Sequence, residues 1–130
     1  MSLNDSLANV LSFIQLYEQK GKREVLTKNN SRVIQKVLHI LNEKGYVGTF
    51  EEVADVKGNL LRINLLGNIN KVGVIKPRFK VKKNEFEKYE KRYLPAKDFG
   101  ILIVTTNKGL MTHLEAKEKG IGGRLVSYCY

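Results

Sequence analysis

The sequence predicts an α+β protein of two small domains, an N-terminal α-β-α-β-β unit and a C-terminal unit that is mostly antiparallel sheet with short helices. Three observations carry this. Apolar residues recur at helical spacing in two stretches of the first half. Elsewhere the apolar residues fall into short strand-length runs bounded by Gly and Asn turns. Gly67-Asn68 interrupts the pattern near the middle, which sets the expected domains at 1–66 and 67–130, a size that suits a chain of 130 residues.

Each element follows from its own pattern. Leu7, Val10, Leu11, Ile14 and Tyr17 share one helical face, with Asn4 or Asp5 as the expected N-cap and Gly21 as the stop. Arg23 to Thr27 alternates like a short strand, and Asn29-Asn30-Ser31 reads as a turn and cap. Val33, Ile34, Val37, Leu38 and Leu41 form a second helical stripe that ends at Gly45. Val47 to Val56 and Leu60 to Leu66 read as strands joined by a Lys57-Gly58-Asn59 hairpin turn. Beyond the break, Val74 to Val81 is extended, and Pro77 confines it to a sheet edge. Asn84 is placed to cap a short helix whose Phe86 and Tyr89 face inward and which Tyr93-Leu94-Pro95 ends. Gly100 to Thr106 reads as a buried strand. Thr112 and Glu115 have capping-box spacing for a helix that stops at Gly120. Gly122-Gly123 allows a sharp bend before a last strand, Leu125 to Tyr130.

Composition narrows the function. The 23 Lys and Arg exceed the 13 Asp and Glu, giving a formal charge of +10 and predicting attraction to polyanions. The charge is concentrated: residues 76–97 hold nine cations against three acids. One cysteine, Cys129, excludes an internal disulfide framework. The start of the chain has no signal-peptide pattern, and no apolar run approaches the roughly 20 residues that span a bilayer. These features predict a soluble intracellular protein.

The run from Ile101 to Val104 delivers Thr105, Thr106, Asn107, Lys108 and Gly109 into one tight turn. Such a turn presents two hydroxyls, an amide, an ammonium and bare backbone, which suits sugar, phosphate and base edges of a folded RNA. Asn-Lys-Gly is also ordinary hairpin chemistry, since Asn and Gly tolerate positive φ. The basic residues Lys76, Arg78, Lys80 and Lys82 alternate at period two, so an extended chain would place them on one face; Lys83 continues the run. That face suits a phosphate-tracking surface, while a solvated edge strand is the plain alternative. Catalysis and metal binding find no support. His39 and His113 have no second ligand at zinc spacing, and Cys129 has no base beside it; His39 reads as an exposed helix residue, His113 as a first-turn residue near a cap, and Cys129 as a small core filler. Gly120-Ile121-Gly122-Gly123 lacks the order and lysine of a phosphate-binding loop and reads as a backbone turn. No cofactor and no metal are expected.

The run Gly100-Ile-Leu-Ile-Val-Thr-Thr-Asn-Lys-Gly-Leu-Met, followed by Gly120-Ile-Gly-Gly, resembles the C-terminal signature of the eighth small-subunit ribosomal protein. Asp5 to Ile14 resembles the family's first helix, and Lys82-Lys83-Asn84-Glu85-Phe86 its basic strand-to-helix junction. The insert from Glu87 to Lys97, with Arg92-Tyr93-Leu94-Pro95-Ala96-Lys97, is similar to the archaeal and eukaryotic branch. The resemblance implies a cytoplasmic component of the ribosome, not an enzyme. It implies binding to an irregular helix in the central domain of small-subunit rRNA and help in assembling that domain. Neighbouring ribosomal proteins are implied as partners, with a monomer when free. In bacterial relatives the family also represses translation of its own operon. The family's Ser-Thr-Ser turn corresponds to Thr105, Thr106 and Asn107, with an amide at the third place. Arg124 stands where bacterial members carry an acid, as a phosphate contact or a structural pair. Ser31 and Arg32 keep the hydroxyl and charge that precede the second helix, where helix amides bind phosphate. An RNA-binding regulator acting on its own mRNA is the alternative within the same class. An RNA-processing enzyme and an architectural DNA-binding module are the alternatives from other classes. The first lacks clustered acids or a histidine pair, and the second lacks a recognition-helix pattern.

Overall fold

Helices pack on antiparallel sheets in the computed structural model, which describes residues 6–28, 31–55, 58–96 and 99–130. The expected caps Asn4 and Asp5, the turn residues Asn29, Asn30 and Lys57, and Lys97 of the insert lie outside the described residues. The chain divides into two compact α+β units, Met1–Val72 and Gly73–Tyr130. Among the described residues, no helix is long and apolar enough to cross a membrane.

The first unit contains α1 (Ser6–Gln19), β1 (Glu24–Thr27), α2 (Arg32–Glu43), β2 (Val47–Asp55) and β3 (Gly58–Leu65). The α-β-α-β-β order is the expected one. The strands form an antiparallel sheet in the order β1-β3-β2. Leu7, Val10, Leu11 and Ile14 of α1, Ile34, Val37, Leu38 and Leu41 of α2, and Val25, Val47, Leu61 and Ile63 of the sheet are buried apolar residues, and α1 packs on α2 and β1 while α2 packs on β2. Val33, expected on the stripe, is 45% exposed, and Ile40 is buried in its stead. The buried set 34, 37, 38 and 41 keeps the 3.6-residue period, and Val33 lies on its outer flank. Glu18 accepts hydrogen bonds from the amides of Gly67 (3.1 Å) and Ile69 (3.0 Å), and Gln15 accepts from Val72 (2.7 Å). The chain after β3 is therefore tied to α1. On the exposed face Arg62 stands opposite Glu51 across β2 and β3 and pairs with it. The hydrogen bond and charge of Glu51 hold the guanidinium above its ordinary range.

The second unit is built from β4 (Val72–Val74), β5 (Lys80–Val81), α3 (Phe86–Tyr93), β6 (Ile101–Thr106), β7 (Gly109–Thr112), α4 (His113–Lys119) and β8 (Gly123–Cys129). The sheet runs β4-β8-β6-β7, and β5 pairs with β8. Its core joins Leu102, Val104, Met111 and Leu125 of the sheet to Phe86 and Tyr89 of α3 and Ala116 of α4. The expected strand from Val74 to Val81 is interrupted. Only Val72–Val74 and Lys80–Val81 are strand, with a bend at Lys76 and Pro77 between them. The N-cap position of α3 belongs to Glu85, not Asn84, and no side chain caps it. The Glu85 carboxylate instead accepts from the Lys82 amide at 3.1 Å, which closes the basic junction on itself. Thr112 caps α4 as expected, accepting from the Glu115 amide at 3.2 Å and donating to its carboxylate at 3.3 Å, and Gly120 ends the helix with φ +66°.

Candidate nucleic-acid interface

The site begins with a hairpin. β6 and β7 pair from Ile103↔Thr112 to Thr106↔Gly109, leaving Asn107 and Lys108 at the tip. Gly109 adopts φ +103°, the left-handed conformation that closes a short hairpin loop and that a side chain would strain. The Thr106 hydroxyl is committed to this turn. It donates to the Gly109 carbonyl at 2.9 Å and accepts from the Lys108 amide at 3.1 Å. One acceptor lone pair remains for a ligand. Asn107 and Lys108 are exposed.

Beside this turn lies an open depression of about 460 Å³. It is lined by Lys80, Lys82 and Lys83 from β5 and the turn after it, by Thr105, Thr106 and Asn107 from the end of β6, and by Gly120, Gly122, Gly123 and Arg124 from the end of α4 to the start of β8. Two glycines bring the sides together. A Cβ on Gly122 would collide with the Val81 carbonyl, and one on Gly123 with the Thr105 carbonyl. The expected bend at Gly122-Gly123 is thus also a double close approach, with strands on both sides pressed against bare backbone.

The electrostatics are one-sided. Lys80 and Arg124 are direct cross-strand partners in the β5–β8 register, and Arg124 also faces Thr105 of β6. Like charges opposite one another destabilise a sheet. Among the described residues no acid lines the depression, and four cations share this concave surface. The contrast with Arg62, which is opposite Glu51 in the other sheet, is direct.

Of the residues singled out from sequence, the depression unites Lys80, Lys83, Thr105, Thr106, Asn107 and Arg124. Lys108 and Gly109 sit next to it on the hairpin and are not part of its lining. Ser31 and Arg32 belong to the first unit. There Ser31 is the N-cap of α2 and its hydroxyl accepts from the Ile34 amide at 3.3 Å, while Arg32 is the exposed first residue of the helix. Lys82 also lines the depression. Alternation places Lys82 with Lys80, as found, but Lys76 and Arg78 of the same expected face are not among the lining residues, because the bend at Lys76 and Pro77 breaks the extended run; Lys83, in the turn after Lys82, joins the rim. The Lys82-Lys83 doublet was the available signal.

The two histidines differ. His39 is exposed and pairs with Glu43 at 2.9 Å. His113, expected as an ordinary first-turn residue, is 2% exposed. Its Nδ1 accepts from the Leu102 amide at 3.0 Å, and its Nε2 lies 3.3 Å from Glu90, which also pairs with Lys117. The β6–β7 register stops at Ile103↔Thr112, so His113 satisfies the strand amide that β7 no longer reaches. An accepting Nδ1 places the ring proton on Nε2, toward Glu90. Cys129 is fully buried in β8, as a core filler should be. Among the described residues, no group of three or more His, Cys, Asp or Glu side chains is placed to hold a metal ion.

A cationic depression framed by a polar hairpin and bare glycine backbone defines a polyanion-binding protein of the nucleic-acid-recognising kind. Residues 5–130 match the family Ribosomal protein S8, and the chain belongs to that family. It is a ribonucleoprotein component of the small ribosomal subunit that binds rRNA and serves translation in the cytoplasm. Members of the family are RNA-binding ribosomal proteins, not enzymes.

Proposed function

We propose that this chain binds an irregular helix in the central domain of small-subunit rRNA and promotes folding of that domain, entering as a monomer. The observation that carries the reading is the pair Lys80 and Arg124, held opposite each other in a depression with no acid among its described lining residues. A polyanion relieves that repulsion. Lys80, Lys82, Lys83 and Arg124 take phosphates, with the salt dependence that counterion release imposes. The Thr105-Thr106-Asn107 edge works at shorter range. Asn107 offers an exposed amide, and Thr106 offers its remaining lone pair to a 2′-hydroxyl or a base amine. Lys108 and the Gly109 backbone extend this contact. Arg32 and the first amides of α2, whose cap Ser31 orders the helix start, form a separate phosphate contact in the first unit. The insert forming most of α3 supports membership of the archaeal and eukaryotic branch.

Hydroxyl-radical footprinting on whole small-subunit rRNA tests the assignment. Protection concentrated on one irregular helix of the central domain is expected, and it should weaken in Lys80→Ala and Asn107→Ala. Protection confined to another domain, or spread evenly over duplex regions, overturns it.

A further inference from the structure

Away from the depression, the second unit carries an aromatic ladder that the reading above leaves unused. The Arg92 guanidinium lies 5.0 Å from the Phe79 ring centroid and 5.5 Å from that of Tyr93. Tyr93 stacks on Tyr128 at 5.7 Å and 25°, and Tyr128 on Tyr130 at 6.3 Å and 27°. Phe99 closes the series, 6.4 Å from Tyr130 and tilted by 55°. None of these rings is buried, and Phe99 is 48% exposed. The backbone makes room for them. Gly73 leaves space beneath the Tyr128 hydroxyl, and Gly100, at φ +89°, brings the chain where any Cβ would strike the Tyr130 side chain.

Packing accounts for one edge of these rings, since Tyr93, Tyr128 and Tyr130 lie against the core. It does not account for a half-exposed phenyl at the end of a stacked series, or for a cation on the rings at the other end. Rings stacked in succession with an arginine beside them are the chemistry that receives unpaired bases. Every base has a π face, and the guanidinium serves both stacking and phosphate. Charge favours the same occupant. Arg92 of α3 lies on the rings, and the acids of that helix are engaged, Glu87 with Lys91 and Glu90 with His113 and Lys117. An acidic or apolar protein segment would use the cations or the rings, and a single-stranded RNA uses both.

We propose that the ladder from Arg92 to Phe99 is a second RNA contact, a stacking platform for unpaired bases, distinct from the depression that grips the helix. The proposal rests on RNA being the ligand of the chain and does not require the depression to be the helix site. The chain has no tryptophan, so its intrinsic emission comes from tyrosine, and a base stacked on the ladder should quench it. The probe is single-stranded oligoadenylate, titrated into the full-length protein at low salt. Saturable quenching is expected. Phe99→Leu and Tyr130→Leu should each weaken oligoadenylate binding roughly tenfold, the effect of one stacked base. Binding of a structured central-domain rRNA fragment should stay within about twofold when measured at the salt where oligoadenylate no longer binds. Lys80→Ala should do the converse. Phe99→Leu alters a half-exposed side chain and should leave the thermal midpoint unchanged, which separates lost stacking from lost fold. Absence of quenching, or oligoadenylate affinity equal in Phe99→Leu, Tyr130→Leu and the parent, overturns the proposal. So does equal weakening of both RNAs by the ladder variants, which would make the two surfaces one. Failure of the depression reading has a different signature, in which Lys80→Ala leaves the structured fragment bound at full strength.

Discussion

Replacing Lys80 by Glu should make the protein more stable and a poorer RNA binder. Lys80 and Arg124 are directly opposed in the β5–β8 ladder, and both are exposed. A cross-strand pair contributes about 0.2–1 kcal/mol, with like charges acting against the sheet. Turning repulsion into attraction therefore gains about 1 kcal/mol at low salt, which in a chain of this size raises the thermal midpoint by about 4 °C. Screening should shrink the gain as salt rises, since both charges face solvent. RNA binding should move the other way. One cation of the depression is lost and an anion placed beside Arg124, so affinity for structured rRNA should fall tenfold or more. The slope of log affinity on log salt should become shallower by about 0.7–0.9 for each phosphate contact removed. Arg62→Glu is the matched control. It breaks a satisfied pair with Glu51, so it should lower the midpoint and leave RNA affinity unchanged. Circular-dichroism melts and filter-binding titrations over a salt series measure both quantities on the same preparations. A Lys80→Glu protein that melts no higher than the parent at low salt would show that the cations do not strain the sheet. One that melts higher yet binds RNA equally well would remove the depression from the interface.

Asn107→Ala should leave the melting midpoint unchanged and weaken cognate RNA by roughly 1–3 kcal/mol, because an exposed amide is lost and its RNA partner is left unpaired; equal affinity in titration would assign the contact to the backbone. Thr106→Ala should cost stability as well as affinity, since its hydroxyl holds both Gly109 and Lys108, while Thr106→Ser should retain both properties. His113→Ala should destabilise the second unit by at least about 1–3 kcal/mol, because the buried Leu102 amide loses its acceptor and Glu90 loses a partner; urea melts would show no change if that network were incidental. Ser31→Ala should cost about 1 kcal/mol of stability through the lost cap of α2, and hydrogen exchange should show the loss in the first turn of that helix.

Much of this architecture is visible in local pattern. The stripes of α1 and α2, the buried β6, the Thr112–Glu115 capping box and the Gly120 stop each depend on neighbours within a turn or two, and the structure follows the spacing in them except at Val33, which lies on the outer flank of the α2 stripe. The departures arise where distant chain decides. Alternation from Lys76 to Lys82 assumed one continuous strand, yet the chain bends at Lys76 and Pro77 and makes only a short pairing with β8 at Lys80 and Val81. His113 reads from the sequence only as a first-turn residue near the Thr112 cap, which says nothing of its burial. Its burial follows from the Leu102 amide, eleven positions away on the central strand, that β7 leaves without a partner.

The sequence by itself determined the helical and strand periods, the concentration of positive charge in residues 76–97 and the short polar run at Thr105 to Gly109. These are properties of composition and spacing, carried by the chain whatever it packs against. Tertiary structure alone decided which cations meet those threonines. Lys80 faces Arg124 only because β5 pairs with β8, and the rims of the depression are drawn together only because Gly122 and Gly123 let carbonyls of Val81 and Thr105 approach where a side chain would stand. Strand pairing and close backbone approach join residues some twenty to forty positions apart, and nothing in the spacing of one segment encodes the register it takes against another.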